Sequence, residues 1–378
     1  MAERIVLRGM TWGHIRGYDP MVVTSERFAE THPGVEIVWE QRSLQAFADQ
    51  PIGTMSDSYD LMVIDHPHVG EAAASGDLLA LDGQGRDAEL AQLAAESAGV
   101  SHVSYNFGGK QWALGIDAAT PISVYRPDLL DAAPTRWDEV IALAEKGQVL
   151  WPVKPINALM SLYNQLANLG KPFGADGVGA DPATAIAALE AMRAVTKHLP
   201  KQCFSMDPIG AYEWLSVRSS HAYVPYLYGY SNYSRPGFRP FLVQAADIPA
   251  HGDAGPVGSP IGGTGIAISS RTKHPELALE YAFWIASAEC QRGLFFDAGG
   301  QPANGVAWRD PACNAASSSF FSATLATLEQ SYLRPRHRGY MAFQDVGGDL
   351  VHACLRGATT PADCVAALNN AYARSFSA

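Results

Sequence analysis

Hydrophobic and polar positions alternate along the first seventy residues between a strand period and a helix period. Apolar stretches at Ile5-Val6-Leu7, Val35–Trp39 and Tyr59–Ile64 carry the strand pattern, and the segments between them carry the helical one. The reading is a strand over 4–10, a loop from Thr11 to Pro20, a helix over Met21–Thr31 stopped by Pro33-Gly34, a strand over Val35–Trp39, a helix near 44–49 and a strand over Tyr59–Ile64. This β-α-β-α-β order predicts an α/β lobe around a largely parallel sheet.

Further on, Gln111–Ile116 and Ile122–Arg126 read as strands separated by a short polar break. A Pro-marked turn then leads to a helix opening at Thr135-Arg136-Trp137-Asp138-Glu139, with Thr135 as N-cap and carboxylates in the first turn. Gln148–Trp151 reads as a short strand, followed by a helix to about Leu169. Helices are predicted over 183–197 and 208–219, and Ala222–Tyr226 reads as a strand. The glycine-rich Ile261–Ile268 reads as another strand and His274–Ile285 as a helix. Terminal helices fall around 313–330 and 341–376, with a capped start at Thr360-Pro361.

Several of these segments, in order, resemble the solute-binding proteins of the carbohydrate ABC-transporter class, the maltose-binding-protein-like family 1. Arg126-Pro127-Asp128-Leu129-Leu130 and Thr135-Arg136-Trp137-Asp138-Glu139 stand where that family leaves one lobe and opens the next. Residues 274–285 resemble its helix after the return strand, and Gly299-Gly300-Gln301-Pro302-Ala303-Asn304 its glycine-glycine-glutamine-proline turn. The resemblance implies an α/β, two-lobe periplasmic-binding-protein type II fold, with hinge strands and a ligand cleft between lobes. Lobe 1 would comprise 1–116 plus 262–312, and lobe 2 would comprise 117–261 plus 313–378. It also implies capture of a small-molecule solute without chemistry, by a monomer that docks on the permease of an ABC importer.

Composition narrows the alternatives. With 378 residues, two domains are the expectation; with 47% hydrophobic and 17% charged residues, the chain has ample material for cores. A net charge of -11 argues against a general nucleic-acid binder. No apolar run approaches the ~20 residues that span a bilayer, so a soluble protein without membrane insertion is expected. Met1-Ala2-Glu3-Arg4 leads into the first strand without a secretory signal. The expected location is periplasmic if a leader is missing from this sequence and cytoplasmic if Met1 is the native start. In the latter case a cytosolic solute sensor for an organic acid on the same fold becomes the alternative. The five cysteines permit a Cys354–Cys364 pair across a helix-loop-helix, or buried free thiols throughout.

Ligands of open α/β sheets sit beyond the carboxyl ends of strands. The candidates there are Trp12, His14, Arg16 and Tyr18 after the first strand, Glu40 and Arg42 after the second, and Asp65 and His66 after the third. The crossover adds Asp117, and the glycine-rich return strand adds Gly263. The second lobe adds Trp151, Lys154 and Asn157 near a helix N-terminus. Residues 223–233 hold five of the 15 tyrosines, of which Tyr226, Tyr228 and Tyr230 are the preferred ligand contacts. Aromatic faces stack on sugar rings while hydroxyls, amides and carboxylates answer ring hydroxyls. The same tyrosines would also suit a packed strand and loop. Arg16, Arg42, Lys154 and Arg336 raise an acidic ligand as a second class, unless the first three pair with Glu40, Asp65 and Asp117 and Arg336 belongs to a solvated connector between the terminal helices.

Enzyme readings have less to stand on. Asp65-His66-Pro67-His68 lacks nearby further ligands for a metal, and Gly262-Gly263-Thr264-Gly265 lacks the Lys-Ser/Thr ending of a phosphate loop. No cofactor and no metal are expected. A carbohydrate-active enzyme using Glu40 and Asp65 is the third reading.

Overall fold

The computed structural model describes residues 4–43, 52–217 and 220–377. Its strands are β1 (Ile5–Trp12), β2 (Val35–Arg42), β3 (Leu61–Ile64), the short β4 (Asn106–Phe107) and β5 (Lys110–Gln111), β6 (Leu114–Ala119), β7 (Pro121–Tyr125), β8 (Tyr223–Tyr228), β9 (Gln244–Ala246) and β10 (Gly262–Ile268). The chain divides into two compact units. The first is Met1–Ala118 with Gly262–Cys313, and the second is Ala119–Ile261 with Asn314–Ala378.

The first unit is built on a sheet in the order β2-β1-β3-β10-β6. β1 runs parallel to β2 from Ile5–Val35 to Trp12–Arg42, and parallel to β3 at Gly9–Leu61. β10 returns antiparallel to β3. Leu61, Met62, Val63 and Ile64 are all buried, as expected of a strand covered on both faces. β2 lies at the edge and alternates, with Ile37 and Trp39 inward and Val38 and Glu40 outward.

Two boundaries differ from the sequence reading here. β1 continues to Trp12, and the first helix, Ile15–Thr31, begins six residues before Met21 and includes Pro20. Gly17 and Pro20 fall in the expected loop, yet they belong to the helix, and Gly17 makes room for an indole, since a Cβ there would fall 2.2 Å from Trp12. His14 caps the helix, its Nδ1 accepting from the Arg16 N–H at 3.1 Å. The helix expected near 44–49 lies outside the described residues.

The second unit holds the antiparallel sheet β8-β7-β9. β7 ends at a buried anchor. Arg126 donates from Nε and Nη2 to the Asp128 carboxylate at 2.7 and 2.6 Å, and from Nη1 to the Leu215 carbonyl at 2.9 Å. Its guanidinium also lies 3.8 Å from the Phe241 ring centroid. The helix predicted at Thr135 starts one residue later: Arg136 is the N-cap of Trp137–Glu145, and Glu139 reaches back to accept from the Thr135 and Arg136 N–H groups at 2.8 and 3.0 Å. Gln148–Trp151 is an extended segment with a single bridge, Val149 to Tyr223, rather than a strand. Pro152 has no N–H with which to carry a ladder onward. The predicted 208–219 helix spans Pro208–Val217, and residues 218–219 lie outside the described set.

The centre of this unit is the helix Pro155–Asn168, in which every residue from Asn157 to Asn168 is buried. Its polar residues therefore need internal partners. Ser161 Oγ accepts from Trp151 Nε1 at 3.2 Å, and Gln165 Nε2 donates to the Tyr226 hydroxyl at 3.2 Å. Asn168 donates to the Gly255 and Val257 carbonyls at 2.8 and 3.0 Å and accepts from the His251 N–H at 2.8 Å. The C-terminal helices Tyr340–Leu355 and Pro361–Ser375, the latter capped by Thr360, complete the unit. Gly348 lets the first of them pass so close that a Cβ would stand 2.9 Å from the Pro155 carbonyl carbon.

A comparable approach occurs in the first unit. Gly263 has φ of +91° and would place a Cβ 2.1 Å from the Asp117 carbonyl oxygen, whereas Gly108, at φ +61°, has open space around it. Gly263→Ala should lose roughly 3 kcal/mol or more of stability in urea unfolding, and Gly108→Ala only about 1 kcal/mol, because it carries backbone strain without a clash. Equal losses would show that the close approach contributes nothing.

Candidate functional site

At the carboxyl end of β1 the chain places Trp12, His14 and Arg16 together. The Trp12 and His14 rings stack with centroids 5.4 Å apart, and the Arg16 guanidinium lies 5.8 Å from the Trp12 ring. Arg16 Nε donates to Asp117 Oδ2 at 2.6 Å, and Nη2 donates to Oδ1. Both residues are 3% exposed. Burial pushes the Asp117 carboxyl above the ordinary carboxylate range, against the downward pull of Arg16. Gly263 packs on the backbone of Asp117, and Gln301 Nε2 donates to the neighbouring Ala118 carbonyl at 2.7 Å. One strand end, one helix start, the β6 end and the Gly299–Asn304 turn thus meet in the first unit.

Other candidates of this unit stand apart from that group. Glu40 and Arg42 gather around Tyr59: its hydroxyl donates to Glu40 Oε2 at 2.6 Å and accepts from Arg42 Nη2 at 3.3 Å. The Tyr59 and Arg8 hydrogen bonds hold the Glu40 carboxyl below its usual range. Tyr18 sits within the first helix and lines a 490 Å³ groove with Ser25 and Trp39. Asp65 is half-buried at the end of β3, and His66 is fully buried with its ring edge-on to Tyr105 at 6.3 Å. Among the described residues no group of three or more His, Cys, Asp or Glu side chains could hold a metal.

In the second unit, Trp151 and Tyr226 are core residues. Tyr226 stacks on Trp137 at 5.3 Å, and Trp151 meets both edge-on at 5.6 and 5.8 Å. The Tyr226 hydroxyl also donates to the Pro249 carbonyl at 3.3 Å, and burial raises its pKa. Tyr226 and Tyr228 lie within β8 rather than after it. Tyr228 is half-buried, and Tyr230 is buried edge-on to Tyr212 at 5.9 Å. Lys154 is the N-cap residue of Pro155–Asn168, with Nζ 3.9 Å from Asp207 Oδ2. Asn157, one turn inside, is 8% exposed, and its Nδ2 has no hydrogen-bond partner among the described residues. Arg336 is half-buried, which lowers its pKa.

The sequence reading did not single out Tyr59, Tyr105 or Trp137 as parts of these clusters. Tyr105 donates to the Ile64 carbonyl at 3.1 Å and packs where Gly265 lacks a side chain. Nothing in its local sequence announces that role. Gln301 had a signal, since it lies in the turn that carries the family resemblance.

The model of the family "bacterial extracellular solute-binding protein" matches residues 24–317. The chain belongs to this family. No curated relative matches the chain at a significant level. Among solved structures, the maltose-bound MalE3 of T. maritima is 19% identical with a TM-score of 0.82, over 98% of this chain and 99% of that one. A solute-binding protein from Agrobacterium radiobacter K84, in complex with ribitol, is 20% identical with a TM-score of 0.81 over 99% of both chains. The GacH receptor of Streptomyces glaucescens, described unliganded and with acarbose, is 16% identical with a TM-score of 0.80 over 98% of both. The α/β two-lobe fold of these binding proteins is therefore the fold of this family member.

Removing one partner of a buried ion pair strands the other. Arg16→Ala should cost about 3–5 kcal/mol in urea unfolding at neutral pH. With Arg16 gone, burial alone sets the Asp117 pKa, so the folded carboxyl titrates well above the unfolded one. The native state then binds the extra proton, and the variant's deficit should shrink as pH falls towards the unfolded carboxylate value. A deficit independent of pH would mean that Asp117 is not the stranded group.

Proposed function

We propose that this family member is the solute-binding component of an ABC importer. It captures a neutral polyhydroxylated solute, a sugar or a polyol, by hinged closure of its two units, acts as a monomer and delivers the solute to a membrane permease. The family supports the binding role. Maltose, ribitol and acarbose, the ligands named for the three similar structures, suggest the solute class.

The observation that supports the neutral reading is that two of the four candidate cations, Arg16 and Lys154, already face a carboxylate within their own unit. Arg16 is neutralised by Asp117, and Lys154 stands near Asp207. An acidic ligand would have to compete with those carboxylates. A hydroxylated one needs only the neutral donors and acceptors that such positions offer, of which the Asn157 amide is one.

The test is a thermal-shift series with maltose, ribitol and acarbose against gluconate and a simple dicarboxylate. A ligand that binds only the native state raises the melting temperature by mass action. Neutral ligands should raise it, and the one that does should also reduce the radius of gyration in small-angle scattering. Asn157→Ala should weaken that ligand about tenfold, the worth of one hydrogen bond, with little change in the melting temperature of the free protein. A response confined to the acids would overturn the neutral reading.

A further inference from the structure

Two cysteines in the second unit stand outside every candidate position described above. Cys354 lies in the last turn of the helix Tyr340–Leu355, and Cys364 lies in the first turn of Pro361–Ser375. They are 0% and 1% exposed. Cys364 Sγ donates to the Leu350 carbonyl at 3.5 Å, one turn before Cys354 on the same face of that helix. Leu350 and Cys354 are four residues apart on that helix, so Cys364 faces the turn that carries the second thiol. The connector between the helices, Arg356–Thr360, is exposed at every position, so an oxidant would reach the thiols by local opening at that end of the hairpin.

We propose that Cys354 and Cys364 form an intramolecular disulfide when the protein meets an oxidising disulfide, fastening the last two helices to each other. The chemistry is directional. The neighbouring Cys364 group and the nearby Arg193 charge draw the Cys354 thiol below its ordinary range, while the Cys354 group and burial hold Cys364 above it. Burial pushes Cys203 and Cys290 up to about 11 and about 12, which keeps them as thiols. The Cys354 thiolate therefore attacks first. It forms a mixed disulfide with one half of the oxidant and expels the other half as a thiolate. Cys364 then loses its proton, attacks Cys354 Sγ and releases the second half. Two protein thiols are oxidised, the oxidant's disulfide is reduced to two thiols, and two protons pass from protein to oxidant. Proteins of an extracellular family meet such oxidants outside the reducing cytosol.

The bond would act on more than the hairpin. His352 Nδ1 lies 2.7 Å from the Val153 carbonyl, and Gly348 lies against Pro155, so the first helix of the hairpin supports the start of Pro155–Asn168. The inference stands independently of the solute, and its test involves no ligand.

Reduced protein is incubated with oxidised glutathione under native conditions, quenched in acid, then alkylated in denaturant and weighed intact. Three of the five cysteines should remain alkylatable, in a monomer, with the peptides of Cys354 and Cys364 linked. The melting temperature should rise by about 5 °C and fall back on reduction. Cys364→Ser should stop at a glutathione adduct on Cys354, and Cys354→Ser should acquire no adduct at Cys364. Five alkylatable thiols after oxidation, or a bond that includes Cys203, Cys290 or Cys313, would overturn the proposal whether or not the variants fold.

Discussion

The first unit depends on one buried charge pair. Arg16 and Asp117 stand 101 positions apart, yet their bidentate contact ties the start of the first helix to the end of β6 with almost no exposure to water. Ions removed from water to this degree are tolerable only when each fills the other's hydrogen-bonding capacity. The surroundings follow from that demand. Trp12 covers the guanidinium, Gly17 clears space for the indole, and Gly263 lets β10 pass against the carbonyl of Asp117. A methyl group added at either glycine would disturb the position of the pair.

The second unit solves a different problem with neutral groups. Its central helix is buried on all sides while carrying Asn157, Ser161, Asn164, Gln165 and Asn168. An ordinary buried helix would be apolar all round. Here Asn168 holds the 249–258 loop, and Ser161 and Gln165 hold the aromatic cluster, while the Asn164 amide is buried without a hydrogen-bond partner among the described residues. The two units thus fix their candidate positions by different means, one by a charge pair and the other by a polar stripe.

Much of the fold was legible because its signals are local. The continuous apolar run Leu61–Ile64 announced a covered strand, Pro33-Gly34 ended a helix where the structure ends it, and Thr360 capped one where expected. The misread boundaries have tertiary causes. Gly17 and Pro20 break helices in isolation, but here they belong to one whose first turns are held by His14 and by packing on Trp12. Candidate positions were harder to read, because a residue type announces chemistry without announcing its partner. Arg16 reads as an anion ligand until Asp117 is placed beside it, and Tyr226 reads as a sugar platform until Trp137 and Trp151 enclose it. Those partnerships span tens of residues and leave no periodic trace.

The close passage of Gly348 over Pro155 has a consequence for synthesis. The surface that covers the start of the central helix is encoded almost two hundred residues later, near the end of the chain. β10 likewise joins the first sheet only after the intervening segment of the second unit has been made. Neither core can therefore close while the ribosome is still working through the middle of the message, and non-local pairing of this kind is slow once it begins. The nascent chain must keep an apolar sheet and a half-covered helix from aggregating throughout that interval. Both units are therefore completed by segments that leave the ribosome late, the first by β10 and the Gly299–Asn304 turn and the second by its last two helices.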